Sequence, residues 1–106
     1  MAPRTPSSPA LGMGAAAVLH AVAGGSRFGF DVIDATGLTS GTVYPALDRL
    51  EELGLLRSHW EDDDVARRQG RPARRYFAVT AAGSRALAAA LERYKVFRPI
   101  GLVSEP

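Results

Sequence analysis

The hydrophobic period of the chain changes at Gly54, and no other feature restricts the fold as much. Before that glycine, Val43, Leu47, Leu50 and Leu53 recur at helical spacing and form one apolar face, with Asp48, Arg49, Glu51 and Glu52 on the others. After it, Leu56, Ser58 and Trp60 alternate with Arg57 and His59, the period of a strand. A helix from about Thr39 to Leu53 thus runs almost directly into a strand, with Gly54 as the stop. Thr39 or Ser40 caps the helix, since either hydroxyl can accept from the free amides of the first turn. Pro45 falls early enough to be tolerated in or next to that turn.

The flanking segments follow the same logic. Leu11, Ala15, Val18, Leu19 and Val22 make one apolar stripe and predict a helix from about Leu11 to Ala23, ended by Gly24-Gly25. Ser26 is placed to cap a short second helix, Phe28–Ala35, with Phe28, Val32 and Ile33 facing the core. Thr36-Gly37-Leu38 reads as a tight turn in which Gly37 takes a positive φ. A second strand is expected at Arg74–Val79, with Phe77 and Val79 on one face and Tyr76 on the other. The connection between the strands is punctuated by Gly70 and Pro72 and is long for a hairpin turn, so a protruding, mobile wing is expected. Thr80 opens a last helix to about Val96, with Leu87, Leu91 and Tyr94 on one face and Pro99 beyond its end. Its alanines Ala82, Ala86, Ala89 and Ala90 favour helix and allow a second helix to approach closely.

The order helix, helix, helix, strand, strand, helix belongs to the α+β class, mainly α. Three helices with a tight turn before the third match a helix-turn-helix, and the two strands make a wing. The expected organisation is a disordered tail over residues 1–10, a winged helix-turn-helix domain over 11–80, a C-terminal dimerisation helix over 81–98 and a tail over 99–106. At 106 residues the chain is one domain with a modest core, which a partner subunit would help to stabilise.

Composition removes several classes of function. There is no cysteine, and His20 and His59 are too few for a zinc site, so no metal or cofactor is expected. The first residues lack the basic region and leucine-rich core of a secretory signal. The apolar stretch Ala15–Ala23 is broken by His20 and is far shorter than the roughly 20 residues of a membrane span, so the expected location is the cytoplasm, without membrane contact. Ser26, His20 and Asp31 are residue types of a hydrolase triad, but their spacing supports none, and with no metal cluster or phosphate loop an enzyme is not expected. Trp60 is expected to pack the wing onto the helical core. The formal net charge is only +2, yet Arg67, Arg68, Arg71, Arg74 and Arg75 fall within nine positions, just after the acidic run Glu61–Asp64. Taken alone, such a cluster is either a footprint for phosphate or a solvated hairpin tip.

Four motifs in order carry a family resemblance. Gly41-Thr42-Val43-Tyr44-Pro45-Ala46-Leu47-Asp48-Arg49-Leu50-Glu51-Glu52-Leu53-Gly54-Leu55-Leu56 resembles the signature of the PadR family of transcriptional regulators. Gly29-Phe30-Asp31 resembles the family's Gly-Tyr-Glu segment, and Ser58-His59-Trp60 its Ser-x-Trp strand. Gly70 to Gly83 resembles its Gly-Arg…Arg-Lys-Tyr-Tyr…Thr-x-x-Gly close, with Phe77 where the second tyrosine often stands. The match spans roughly Gly12 to Tyr94 and is similar to the smaller branch with one dimerisation helix. The last helix has no tryptophan, unlike members with a tryptophan-lined pore at the dimer centre.

The resemblance implies a homodimeric, sequence-specific DNA-binding regulator, a repressor on a pseudo-palindromic operator, released by a small-molecule effector. Double-stranded DNA would meet Thr39, Ser40, Thr42, Tyr44, Pro45 and Arg49 on the third helix and Arg71, Arg74 and Arg75 on the wing. Tyr44 is either the family's backbone-contacting tyrosine or a half-buried ring under the wing. Arg67 and Arg68 are this chain's own additions. An effector cavity at the dimer centre would draw on Val18, Val22, Leu87 and Leu91. The competing reading is a winged-helix module for protein–protein contact that binds no DNA.

Overall fold

The computed structural model describes residues 10–95. The elements are α1 (Met13–Ala23), α2 (Gly29–Thr36), α3 (Ser40–Glu52), β1 (Leu56–Trp60), α4 (Asp63–Arg68), β2 (Arg75–Val79) and α5 (Ala81–Lys95). The expected order and class hold, with one added helix inside the wing. The proposed tails lie outside the described residues, apart from Ala10, as do Val96 and Pro99. Among the described residues no helix is long and apolar enough to cross a membrane.

The core follows the predicted stripes. Val18, Leu19 and Val22 of α1, Val32 of α2, and Val43, Leu47 and Leu50 of α3 are buried together, and α1 packs against α2, α3 and α5. Leu11 lies before the start of α1 but is buried all the same, and its carbonyl accepts from the Tyr94 hydroxyl at 2.6 Å, which ties the start of the fold to α5. Leu53, expected on the apolar face of α3, is only partly buried; Leu55, in the turn after Gly54, is sealed instead. Gly54 takes φ +77°, and the reversal it permits brings Leu55 and Leu56 into the core one after the other.

The helix ends show how local chemistry was used. Ser26 does not cap α2; its N–H donates to Ala21 O at 2.9 Å and closes the end of α1, while Phe28 occupies the cap position of α2. In the tight turn Gly37 takes φ +73°, and the Thr36 hydroxyl accepts from Leu38 N–H at 3.1 Å. Thr39 is the residue before α3, but its hydroxyl makes no cap bond. It donates to the Thr42 hydroxyl instead, at 3.3 Å. Thr80 does both jobs of a cap: it accepts from Gly83 N–H at 2.9 Å and donates to Gly54 O at 2.7 Å, joining α5 to the end of α3.

β1 and β2 pair antiparallel, with Leu56 opposite Val79, Ser58 opposite Phe77 and Trp60 opposite Arg75. The loop expected between them contains α4. Asp62 caps it by accepting from Asp64 N–H at 2.7 Å, Asp63 and Asp64 lie in the first turn, and Arg67 and Arg68 in the last. That charge order complements the helix dipole at both ends, which accounts for Asp62, Asp63 and Asp64 of the acidic run.

α5 reaches the domain through small residues. Gly83, Ala86 and Ala90 are buried, and α5 packs on α1 and β2. A Cβ at Gly83 would overlap the Leu55 carbonyl oxygen and lie 2.8 Å from Val79 Cγ1. Gly83→Ala is therefore expected to cost about 1–3 kcal/mol through overpacking. Urea unfolding should show this as a lower midpoint, whereas Ser84→Ala, one residue on and exposed, should leave the midpoint nearly unchanged.

Candidate nucleic-acid interface

Side chains alternate across the hairpin, so Leu56, Ser58 and Trp60 of β1 share a face with Val79, Phe77 and Arg75 of β2. That face looks toward α3. Leu56 and Phe77 are buried at its inner end. Farther out, Arg75 spans from the wing to α3: its Nε donates to Ser58 Oγ at 3.0 Å, Nη1 pairs with Asp48 Oδ1 at 3.2 Å and Nη2 pairs with Glu51. Ser58 Oγ donates in turn to Glu51 Oε2 at 2.7 Å. One guanidinium thus bridges the acidic flank of α3 and both strands.

A second arginine closes the far end of the wing. Arg71 forms a two-pronged pair with Glu61, Nη1–Oε1 2.6 Å and Nη2–Oε2 2.9 Å. Glu61 also accepts from Arg74 N–H at 3.1 Å and from the Tyr76 hydroxyl at 3.4 Å. The Arg71 guanidinium, followed by these further donors, holds the Glu61 carboxyl down at about 2 from an ordinary 4.5. Arg71 is raised by the same contact.

Arg74 differs from both. Its guanidinium lies 4.0 Å above the Phe28 ring and, among the described residues, has no carboxylate partner. Phe28, expected in the core, is only partly buried because it carries this contact and an edge-on contact with Tyr76, ring centroids 5.7 Å apart. Arg27 sits over the other side of this cluster, 4.7 Å from the Tyr76 ring centre. Arg67 pairs with Asp64 within α4, and both are well exposed.

On α3, the turn of the helix puts Thr42, Pro45 and Arg49 on one outward stripe, opposite buried Val43, Leu47 and Leu50. Thr39 and Ser40 stand exposed at the near end. Pro45 lies five residues after the helix start at Ser40, in the second turn and not the first. It leaves the carbonyl of exposed Gly41 without its helical partner. Tyr44 is neither fully outward nor under the wing. Its ring lies on Gly29 of α2, where a Cβ would come within 2.6 Å of the ring Cζ.

Between α2, α3 and the wing runs a groove of about 410 Å³. Gly29, Leu47 and Phe77 form its floor, and Phe30, Tyr44 and Trp60 stand along its sides. Trp60 does not pack the wing onto the core. It sits exposed at the outer end of β1, and Leu55, Leu56 and Phe77 do that packing. Nothing in the chain's spacing revealed the groove, because it depends on the bare backbone of Gly29 admitting the Tyr44 ring. Of the four residues named for an effector, Val18 and Val22 are sealed in the core, Leu87 is partly buried against that core and Leu91 is exposed.

The Glu61 latch has a pH signature. Its carboxyl is depressed in the fold, so the stabilisation is complete above about 4.5 and is lost as pH falls through about 2. Acid unfolding followed by circular dichroism should therefore lose stability over that window, and Glu61→Gln should flatten the loss while lowering the melting temperature at pH 7.

The family model for the PadR-like transcriptional regulators matches residues 18–89, from inside α1 to near the end of α5. Among curated proteins no sequence match is found. Solved structures share the fold. A PadR family transcription regulator from Clostridium difficile superposes with a TM-score of 0.68 at 19% identity, covering 81% of this chain and 91% of that one. The smu.1704 protein of Streptococcus mutans gives 0.67 at 24% identity, covering 80% and 78%. BpsR of Bordetella bronchiseptica, whose DNA binding is regulated by 6-hydroxynicotinic acid, gives 0.60 at 23% identity, covering 86% and 65%. The added α4 and the shifted cap residues leave the helix-turn-helix and wing in place, and the chain belongs to the PadR-like family of transcriptional regulators, whose members are regulators and not enzymes.

Proposed function

We propose that the chain acts as a dimeric repressor that binds a pseudo-palindromic operator through α3 and the wing. One observation carries this reading: the outward stripe of α3 and the unpaired guanidinium of Arg74 belong to elements braced together by Arg75. The N-terminal part of a recognition helix meets base edges in the major groove, so Thr39, Ser40, Thr42 and Pro45 would read the operator. Arg49, farther along the same stripe, and Arg74 would meet phosphate. Tyr44 would touch the backbone from its seat on Gly29. Arg71 and Arg75 are already paired with carboxylates, so we assign them to holding the wing and not to DNA.

The dimer reading rests on the family and on α5, whose Leu91 is exposed on a short domain. Two copies related by a twofold axis would set their recognition helices about one DNA turn apart. An effector held between copies would meet Leu91 and its neighbours on α5, with Leu87 behind them; Val18 and Val22 are out of reach unless the core opens. The regulation of BpsR by a small molecule supports an effector for this chain as well. A DNA partner supports a cytoplasmic location.

Selection of duplexes from a random pool should recover an inverted repeat, retained in a shift assay at physiological salt. Failure to retain any duplex would favour the protein-contact module. With the selected duplex, Arg74→Ala should reduce the slope of log K against log salt by about 1. An unchanged slope would take Arg74 off the phosphate backbone.

A further inference from the structure

The groove between α3 and the wing has no role in the reading above, yet it gathers three of the large apolar side chains the fold leaves exposed: Phe30 at 69%, Trp60 at 65% and Tyr44 at 44%. Its floor is apolar, and Arg74, which has no carboxylate partner among the described residues, lines it beside Arg71, Arg75 and Asp48. A small-ligand site buries most of its ligand's surface. Here the walls are more than half exposed at two of three aromatic positions, so the trough suits a chain laid along it better than an enclosed molecule.

Its position identifies the chain. A recognition helix in the major groove and a wing in the adjacent minor groove leave one sugar-phosphate strand to cross between them. In this fold that gap is the aromatic trough. We propose that the trough seats the crossing DNA strand, with Trp60, Tyr44 and Phe30 packed on the C–H faces of deoxyribose and Arg74 on the phosphate beside it. The inference rests on the DNA-binding reading and adds to it a sugar-recognition site.

Trp60 is the chain's one tryptophan, so its fluorescence reports on the trough alone. Because it is mostly exposed, its replacement leaves the fold intact. The test uses the full chain and the duplex recovered by selection. Saturating DNA should shift Trp60 emission to the blue. Trp60→Ala should weaken binding on the order of tenfold with the salt slope unchanged, since an apolar contact releases no counterions, and Trp60→Phe should recover part of the loss.

Unchanged Trp60 emission at saturating DNA, or full affinity in Trp60→Ala, would overturn the seat. If the duplex is bound with an Arg74-dependent slope while Trp60 stays silent, only the seat fails. If no duplex is bound, the DNA-binding reading fails and the seat with it. Emission that responds to a free planar aromatic compound but not to DNA would assign the trough to a small ligand and overturn the proposal.

Discussion

The structure turns on the guanidinium of Arg75. A two-stranded hairpin is at best marginally stable by itself, and only its inner end is buried against the helices. Arg75 extends that attachment outward by joining Asp48 and Glu51 of α3 to Ser58 of β1 from its own place on β2. The planar fork of arginine suits this geometry, since several donors leave one group in fixed directions. Held at both ends, α3 and the wing form one body.

Two glycines set the distances around this body. Gly83 lets α5 come against the Leu55 carbonyl, and Gly29 lets the Tyr44 ring lie on α2. In each case a side chain would push two elements apart. At the far end of the wing the Glu61–Arg71 pair gathers the segment that returns from α4, and Glu61 accepts from the backbone of Arg74 as well. Arg74 itself is directed to the Phe28 ring and the edge of the trough. Three arginines close in sequence thus have three different surroundings.

Most of the frame was legible from residue spacing. The helical stripes of α1 and α3 and the alternation after Gly54 each report a buried face, and burial dictates period. The misreadings have local causes. A charge run looks like solvated loop until Asp62, the acidic first turn and the arginine last turn are read together as a capped helix. Trp60 was expected in the core because it is large and apolar, but a strand alternates faces without saying how far along it the core extends. Spacing alone could not separate the surroundings of Arg71, Arg74 and Arg75, since it places arginines on a wing and says nothing of which carboxylate waits nearby; Glu51 and Asp48 come from an element far off in sequence. The trough was invisible for the same reason, being made from three separated segments.

The claim that α3 and the wing form one body through Arg75 is tested most directly by a double-mutant cycle on folding stability, with Arg75→Ala, Glu51→Ala and the pair compared by urea unfolding. Both groups are about one-third exposed, so the expected coupling is modest, about 0.5–1 kcal/mol, with the double variant more stable than the sum of the single losses allows. Strict additivity of the two losses would contradict it and leave the wing attached by its apolar inner end alone.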